Sequence, residues 1–579
     1  MIGLVAVTAA GRAAAGRLAA RWPGQTRCYD GPAAAALPRA WAECDAVVCF
    51  LAAGAVIRLI APLLDAKRSD PAVVCVDEAC RFAVALTGGH AAGANALAAR
   101  AAAALGAQPV ITTAADAAGL PGLDALCWPE RTAASPGGPS PPLAGPPAGA
   151  WPAEGAVAAV SRALLDGEPV ALECDQTWPL PALPVTADGT GGHRIVITDR
   201  VVPADDRTVV LRPPSLVAGV GASRGVTAAE VLGLLDAALA EAGLSPASVT
   251  ALATVDAKAA EPGLAEAARR RGVPLRSYPA SRLAAVPVPT PGEAALAAVG
   301  TPSVAEAAAL ASADVLIVPK RKSAMATVAL ARIRPRGRLA VIGLGPGARD
   351  LLSPRAVTEL RRASVVVGLG QYLDQVRDLL RPGTRVLASG LGAEEARARA
   401  ALEQARRGHA VALVGSGDAG VYAMASPALA EAGEDIDVAV VPGITAGLAA
   451  AALLGAPLGH DHAVISLSDL HTPWQVIERR VRAAAEADLV TVFYNPRSSR
   501  RDWQLGAALR LLARHRPPAT PAGVVRNAAR PGQQVTLTTL AGLDAGAVDM
   551  LSIVIVGATA TRTVAGRMVT PRGYAWQRR

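Results

Sequence analysis

The sequence predicts an α/β fold made of several domains with largely parallel sheets. Three observations carry this. The chain has 579 residues, more than one hydrophobic core holds, so three or four domains follow. Short apolar runs alternate with Ala/Leu/Arg-rich helical segments: DAVVCFLAA (45–53), PAVVCVDEA (71–79), DVLIVPKRK (314–322), RLAVIGLG (338–345), ASVVVGLG (363–370) and DLVTVFYNP (488–496). Such runs are the mark of strands covered by helices on both faces. Finally, many of these strands end in glycine loops.

From the N-terminus, MIGLVAVTAAGRAAAGRLAARW has no basic stretch before its apolar run. It reads as a first strand and helix, not a signal peptide. No apolar run reaches membrane length. Seven cysteines lie in the first third without a CxxC pair, which points to buried core thiols in a reducing, cytoplasmic setting. The charge is +9, from 57 basic and 48 acidic residues, and attracts acidic ligands. Only 3% of residues are aromatic, too few to interleave with the arginines as base-stacking platforms. Nucleic acid is therefore disfavoured, and a small polycarboxylate fits.

Two breaks divide the chain. RTAASPGGPSPPLAGPPAGA (131–150) is half Pro and Gly and reads as a linker. The basic stretch near 320–338 precedes a fresh strand, loop and helix. A softer boundary falls at Arg212-Pro213-Pro214. The expected modules are 1–130, 151–213, 214–322 and 338–579, with 323–337 as a second linker.

The last module carries glycine-bearing strand ends in AVIGLGPGARDLLSPRA (340–356), VALVGSGDAGVYAMA (411–425) and VVPGITAGLAAAALLGAPLGHDHAVISLSDLHTPW (440–474). FYNPRSSRR (493–501), TPAGVVRNAARPGQQV (520–535) and MVTPRGY (568–574) follow. A phosphate cradle favours Lys or bare amides, whereas the second loop has Asp418 at its apex. The dinucleotide fingerprint fails at Ala348. Asp418 reads as a ligand contact or a helix N-cap. His460, Asp461 and His462 in GHDHA, followed by Asp469 and His471, read as a substrate contact, a metal site or a polar loop. Arg479, Arg480, Arg497, Arg500 and Arg501 suit carboxylates or a solvated helix face.

In this order the motifs closely resemble the tetrapyrrole methyltransferases of cobalamin biosynthesis. Within them they look like the type that methylates precorrin-3B at carbon 17 (CobJ/CbiH). The resemblance spans about 338–574. It implies a two-subdomain class III methyltransferase fold, S-adenosylmethionine as cofactor, a tetrapyrrole substrate and a homodimer. It further implies that the cofactor, a cation without phosphate, is lined by Gly345, Pro346, Gly415, Ser416, Gly417, Asp418, Val421, Thr445, Ala446, Tyr494 and Asn527. Methylation in this type is coupled to ring contraction, for which His460, Asp461 and Asp469 are the catalytic candidates. Arg497 and Arg500 are the candidates for substrate carboxylates. Leu369, Ala558 and Thr559 depart from the family pattern and are expected to alter the cofactor wall.

GAVIRLIAPLL (54–64), the stretch DPAVVCVDEACRFAVALTGGHAAGANALA (70–98) and LGAQPVITTAAD (105–116) look like the N-terminal domain of CbiG. VAGVGASRGVTAAEV (217–231) and LATVDAKAAEPGLAEAA (252–268) look like its C-terminal, CobE-like domain. The resemblance implies opening of a lactone on the contracted macrocycle, or binding and carriage of an intermediate without catalysis. Hydrolysis calls for a base and an oxyanion site. His90 is the candidate base, Gly88 and Gly89 supply candidate amides, and Asp77 and Glu78 are candidates to orient or replace His90. A capping role for His90 stays open. No GxSxG elbow is present. Lys258, with Glu261 three residues on, reads as a substrate contact or a surface ion pair.

Overall fold

The computed structural model describes residues 1–65, 69–126, 151–186, 190–498 and 501–574. The 131–150 linker, Cys127 and Arg500 lie outside the described residues. The chain divides into two compact units: Met1–Pro335 with Arg381–Gly383, and Arg336–Leu380 with Thr384–Arg579. Among the described residues no helix is long and apolar enough to cross a membrane.

The first unit holds three sheets. The N-terminal one runs in the order Thr26–Tyr29, Ile2–Ala6, Ala46–Phe50, Ala72–Val76, Phe82–Thr87, Gln108–Val110. Only Ala72–Val76 and Phe82–Thr87 pair antiparallel. Alternate side chains of a strand point to opposite faces. Leu4 and Ala6 therefore pack with Ala14 and Leu18 of helix Ala9–Arg21, while Val5 packs with Leu37 and Ala40 of helix Ala33–Glu43. This explains the unbroken apolar run. Cys44, Cys49, Cys75 and Cys80 are buried, whereas Cys28 and Cys174 are exposed. Burial pushes the Cys75 thiol up to about 11, so it stays protonated and inert near neutral pH.

A four-stranded sheet follows, in the order Ala153–Gly155, Thr208–Leu211, His193–Ile197, Val170–Cys174. The third sheet is Leu275–Tyr278, Val249–Val255, Leu216–Ala222, Ala326–Arg332, Val315–Lys322. Residues 323–337 are thus no simple linker, because Ala326–Arg332 pairs antiparallel with Leu216–Ala222 along its whole length. Its apolar alternation is flanked by basic residues and ends near Pro335, which hid it. The second and third sheets are tied by Asp199, which is buried. It accepts both Nε and Nη2 of Arg332, at 2.7 and 2.8 Å, and the Ser215 hydroxyl at 2.7 Å.

The second unit contains a parallel sheet in the order Arg385–Ser389, Val365–Leu369, Ala410–Gly415, Arg338–Gly343, Asp437–Val441. Leu339 and Val341 face helix Glu394–Arg406, while Ala340 and Ile342 face helix Pro354–Arg362. A mixed sheet follows: His462–Ser466, Val490–Tyr494, Ser552–Val556, Pro521–Arg526, Gln534–Thr539. The architecture is α/β throughout.

Truncating Asp199 leaves the half-buried Arg332 guanidinium without its counter-charge, at a cost of about 3 kcal/mol. Asp199→Ala is expected to lower the first transition in a denaturant titration of the full chain, whereas an exposed carboxylate such as Glu78→Ala leaves it in place.

Candidate active site of the second unit

Strands Ala410–Gly415, Arg338–Gly343 and Asp437–Val441 are neighbours and parallel, so their carboxyl ends release three glycine loops side by side. Ligands of open parallel sheets bind at this edge. The loops are in backbone contact. Gly345 N–H donates to Gly417 O at 3.0 Å and Gly417 N–H to Gly345 O at 2.7 Å. A Cβ on Gly443 would overlap the Gly417 carbonyl, and one on Gly343 would sit 2.6 Å from the same oxygen. Asp418 completes the knot. Its Oδ1 accepts the Gly420 N–H at 2.8 Å, and its Oδ2 accepts the Gly443 N–H at 3.0 Å. It is no helix N-cap, since the following helix, Ala425–Glu431, begins after Met424.

A cavity of roughly 220 Å³ opens at this edge. Pro346, Ser416, Gly417, Asp418, Val421, Thr445, Ala446, Tyr494 and Asn527 all line it, while Gly345 and Gly415 shape the turns behind. The mixed sheet forms the opposite wall through Asn495, Asn527 and Ser552, which all lie at one end of it.

Three further residues stitch the two walls. Tyr494 Oη accepts the Gly447 N–H at 2.5 Å and hydrogen-bonds Thr445 Oγ1 at 2.6 Å, closing the N-terminus of helix Ala446–Leu454. A Cβ on Gly447 would lie 2.6 Å from that hydroxyl. Burial pushes the Tyr494 phenol above its usual range, so it stays neutral. Tyr422 Oη donates to Val464 O at 3.0 Å and accepts the Ser466 N–H at 3.1 Å, reaching from a loop of the parallel sheet to a strand of the mixed one. Arg530, in the loop after Pro521–Arg526, donates Nε to Pro346 O at 2.5 Å and Nη2 to Ser416 Oγ at 2.6 Å. The sequence reading passed over Tyr422 and Arg530. Tyr422, Asn495 and Asn527 line the cavity with φ near +50°. Non-glycine residues hold that conformation only where the surroundings enforce it, and such strain gathers at functional sites.

Other expected residues lie elsewhere. His460, Asp461 and His462 sit at the start of strand His462–Ser466, whose opposite end faces the cavity. His460 pairs with its neighbour, its Nδ1 3.3 Å from Asp461 Oδ2, and both are exposed. GHDHA is thus an exposed turn outside this site. Asp469 follows the correct end of the strand, but it accepts Gln504 Nε2 at 2.8 Å and does not line the cavity. Beside it Arg501 is buried and braces Ser468 Oγ and Asn495 O, both at 3.0 Å. Burial holds its guanidinium below the usual range, and the charge of Asp469 opposes that shift. Arg497 donates to Gly546 O. Leu369 is buried at its strand end, and Ala558 and Thr559 follow the far end of Ser552–Val556, so these departures leave the cavity lining unchanged.

In the first unit His90 stands after the Gly88–Gly89 turn, with its Nε2 3.0 Å from Asp116 Oδ2. Asp77 and Glu78 are not its partners. They occupy the turn joining Ala72–Val76 to Phe82–Thr87, at the opposite end of that hairpin from Gly88. Asp77 accepts the Arg81 and Phe82 N–H groups at 2.8 and 2.7 Å, and these bonds with the Arg81 charge hold its carboxyl low despite desolvation. Glu261 accepts the Gly225 N–H at 2.8 Å. The expected Lys258–Glu261 ion pair is not formed among the described residues.

Two α/β layers enclose a cavity of bare glycine loops with a carboxylate and, among the described residues, no lysine, an arrangement that suits a class III methyltransferase. Three families match the chain: Tetrapyrrole (Corrin/Porphyrin) Methylases over residues 338–544, Cobalamin synthesis G C-terminus over 216–331 and Cobalamin synthesis G N-terminal over 35–116. A probable cobalt-factor III C(17)-methyltransferase of Salmonella typhimurium is 47% identical over 239 residues, 41% of this chain and 99% of that protein. A precorrin-3B C(17)-methyltransferase of a Sinorhizobium species is 41% identical over 251 residues, 41% of this chain and 98% of that protein. A crystal structure of the methyltransferase CobJ shares 39% identity, covers 41% of this chain and 100% of its own, and superposes with a TM-score of 0.39. The chain belongs to the tetrapyrrole methylases and carries both CbiG-type regions in the same polypeptide.

Gly443→Ala forces the third loop away from Gly417. Misplacement of about 1 Å costs on the order of a hundredfold in rate. Methyl transfer by Gly443→Ala is expected to fall by at least about that factor while near-ultraviolet dichroism of the full chain is retained.

Proposed function

We propose that the second unit transfers a methyl group from S-adenosylmethionine to carbon 17 of a precorrin-3B or cobalt-factor III macrocycle, coupled to ring contraction. The first unit then opens the lactone of the contracted product. The observation that carries the first half is the Asp418-tied glycine knot. Its wall offers carbonyls, a carboxylate and small backbone-lined turns, and its one cationic lining group among the described residues, Arg530, is already committed to Pro346 O and Ser416 Oγ. That donor set fits a ligand with an ammonium, a sulfonium and a ribose diol better than a nucleoside polyphosphate. Both relatives' activities support the same reading, as does the lining of the cavity by Pro346, Ser416 to Asp418, Thr445 and Tyr494.

When bound, the cofactor supplies an electrophilic methyl on a leaving group that departs neutral. The chain's task is then alignment and exclusion of water rather than proton transfer. Asp418 holds the second and third loops at a fixed separation. Tyr494 and Thr445 fix the start of helix Ala446–Leu454. Arg530 and Tyr422 hold the two walls together. Neutral Tyr494 places no second anion beside Asp418. Arg497 and Lys258 remain the proposed contacts to acidic side chains of the macrocycle. We assign a homodimer through the second unit and a cytoplasmic setting on the family resemblance and the unpaired thiols. Fusion raises the effective concentration of one step's product for the next.

Calorimetry on the full chain is expected to give heat with S-adenosylmethionine and with its demethylated product, and none with a nucleoside triphosphate; the reverse pattern overturns the assignment. Labelled cofactor with cobalt-free and cobalt-bearing substrate, followed by mass spectrometry, identifies the acceptor. Arg530→Ala removes two charge-assisted bonds that hold the cavity walls together. It is expected to weaken cofactor binding about ten- to a hundredfold.

A further inference from the structure

The Gly88–Gly89 turn ends strand Phe82–Thr87 and leads into helix Ala94–Leu105. The turn is fastened by Ala92 N–H to Gly88 O at 2.8 Å and Asn95 N–H to Gly89 O at 3.1 Å. It presents the His90 ring against Gly122, where a Cβ would come within 2.7 Å of the imidazole. Asp116, on the short helix Ala114–Ala117, holds its Oδ2 3.0 Å from His90 Nε2, and Thr113 Oγ1 lies 3.5 Å from the same nitrogen. The same carboxylate oxygen accepts the Thr113 hydroxyl and Asn95 Nδ2, the latter at 2.9 Å, and Asn95 Nδ2 also reaches Thr113 Oγ1 at 2.9 Å. Asn95 is buried. The His90 side chain is 18% exposed and that of Asp116 36%, so the pair is braced from below and reachable from outside.

A carboxylate on Nε2 fixes the proton there and leaves Nδ1 as the lone-pair nitrogen. Among the described residues Nδ1 makes no hydrogen bond. We propose that His90 and Asp116 form an oriented base pair, with His90 as the catalytic base for lactone opening and Asp116 as its positioning residue. This rests on the lactone-opening reading of the first unit. Water adds to the lactone carbonyl carbon as its proton passes to His90 Nδ1. The tetrahedral adduct then expels the ring oxygen, which takes that proton back and leaves a carboxylic acid and an alcohol. No oxidant or cofactor is consumed. Asp116 stabilises the imidazolium formed between the two transfers. A capping histidine would need neither the carboxylate nor a free nitrogen on its exposed side.

The test uses the full chain and the contracted, lactone-bearing macrocycle, with the water-added, ring-opened hydroxy acid followed by mass spectrometry as the readout. His90→Ala and Asp116→Asn are expected to lower kcat by about 10²–10⁴-fold with KM held within about threefold. Added imidazole is expected to restore part of the His90→Ala rate and none of the Asp116→Asn rate. An unshifted first transition in a denaturant titration of the full chain reports that the first unit of each variant is folded. Wild-type kcat in both variants overturns the base pair while leaving the lactone reading intact. So does loss of kcat in His90→Ala that imidazole does not relieve. A wild-type chain that binds the macrocycle and forms no ring-opened product defeats the lactone reading itself, and the base pair with it.

Discussion

The methyltransferase site depends on a steric constraint: three peptide backbones must touch at one edge of a parallel sheet. Gly343, Gly417 and Gly443 meet there with no room for a Cβ at 343 or 443. Any side chain at those two positions would force the loops apart, and the cavity wall would lose its continuity. The contact is possible because the strands bearing these loops are adjacent and parallel. Strand order therefore precedes chemistry. The chain returns to the centre of the sheet, placing Arg338–Gly343 between two strands that come later in sequence, and all three loops emerge on the same side.

The second wall belongs to a different sheet, so the site is only as well formed as the joints between them. Those joints are few and polar. Tyr422 grips Val464 and Ser466, and Arg530 grips Pro346 and Ser416. Tyr494 closes a helix end that the second wall itself carries. The left-handed backbone at Tyr422, Asn495 and Asn527 costs about 1–3 kcal/mol at each position. The bonds these residues and their neighbours make offset that cost, as when Asn495 Nδ2 holds Ser466 Oγ at 3.0 Å while Arg501 holds its carbonyl. Strain of this kind survives where the alternative would unseat a wall of the cavity.

The α/β architecture was legible because buried parallel strands are continuous apolar runs. The run read at 338–345 is the strand Arg338–Gly343, and that at 488–496 contains Val490–Tyr494. The glycine loops were legible because close backbone approach admits little else. Strand direction was not. GHDHA brings two histidines and an aspartate together, yet it lies at the wrong end of its strand, which no local pattern discloses. The same failure paired His90 with Asp77, a neighbour in the motif. The antiparallel turn carries Asp77 to the far end of the hairpin, and a separate segment delivers Asp116. Arg530 escaped notice inside an ordinary-looking AARPG turn, since its importance lies in where the Pro521–Arg526 strand points.

Two aspartates show why residue type alone does not assign a role. Asp418 accepts backbone amides on both oxygens. Two such bonds fix its position, so the carboxylate faces the cavity as a rigid negative wall. A rigid anion suits a reaction that needs a cation held still. Asp116 gathers a hydroxyl, an amide and an imidazole nitrogen on one oxygen. The imidazole is the one member of that set able to act as a base, so this aspartate can follow a proton's arrival and departure. Backbone donors cannot take up a proton and a histidine can. The partners of the two carboxylates thus separate static stabilisation from proton transfer, and each unit carries the kind of aspartate its proposed reaction requires.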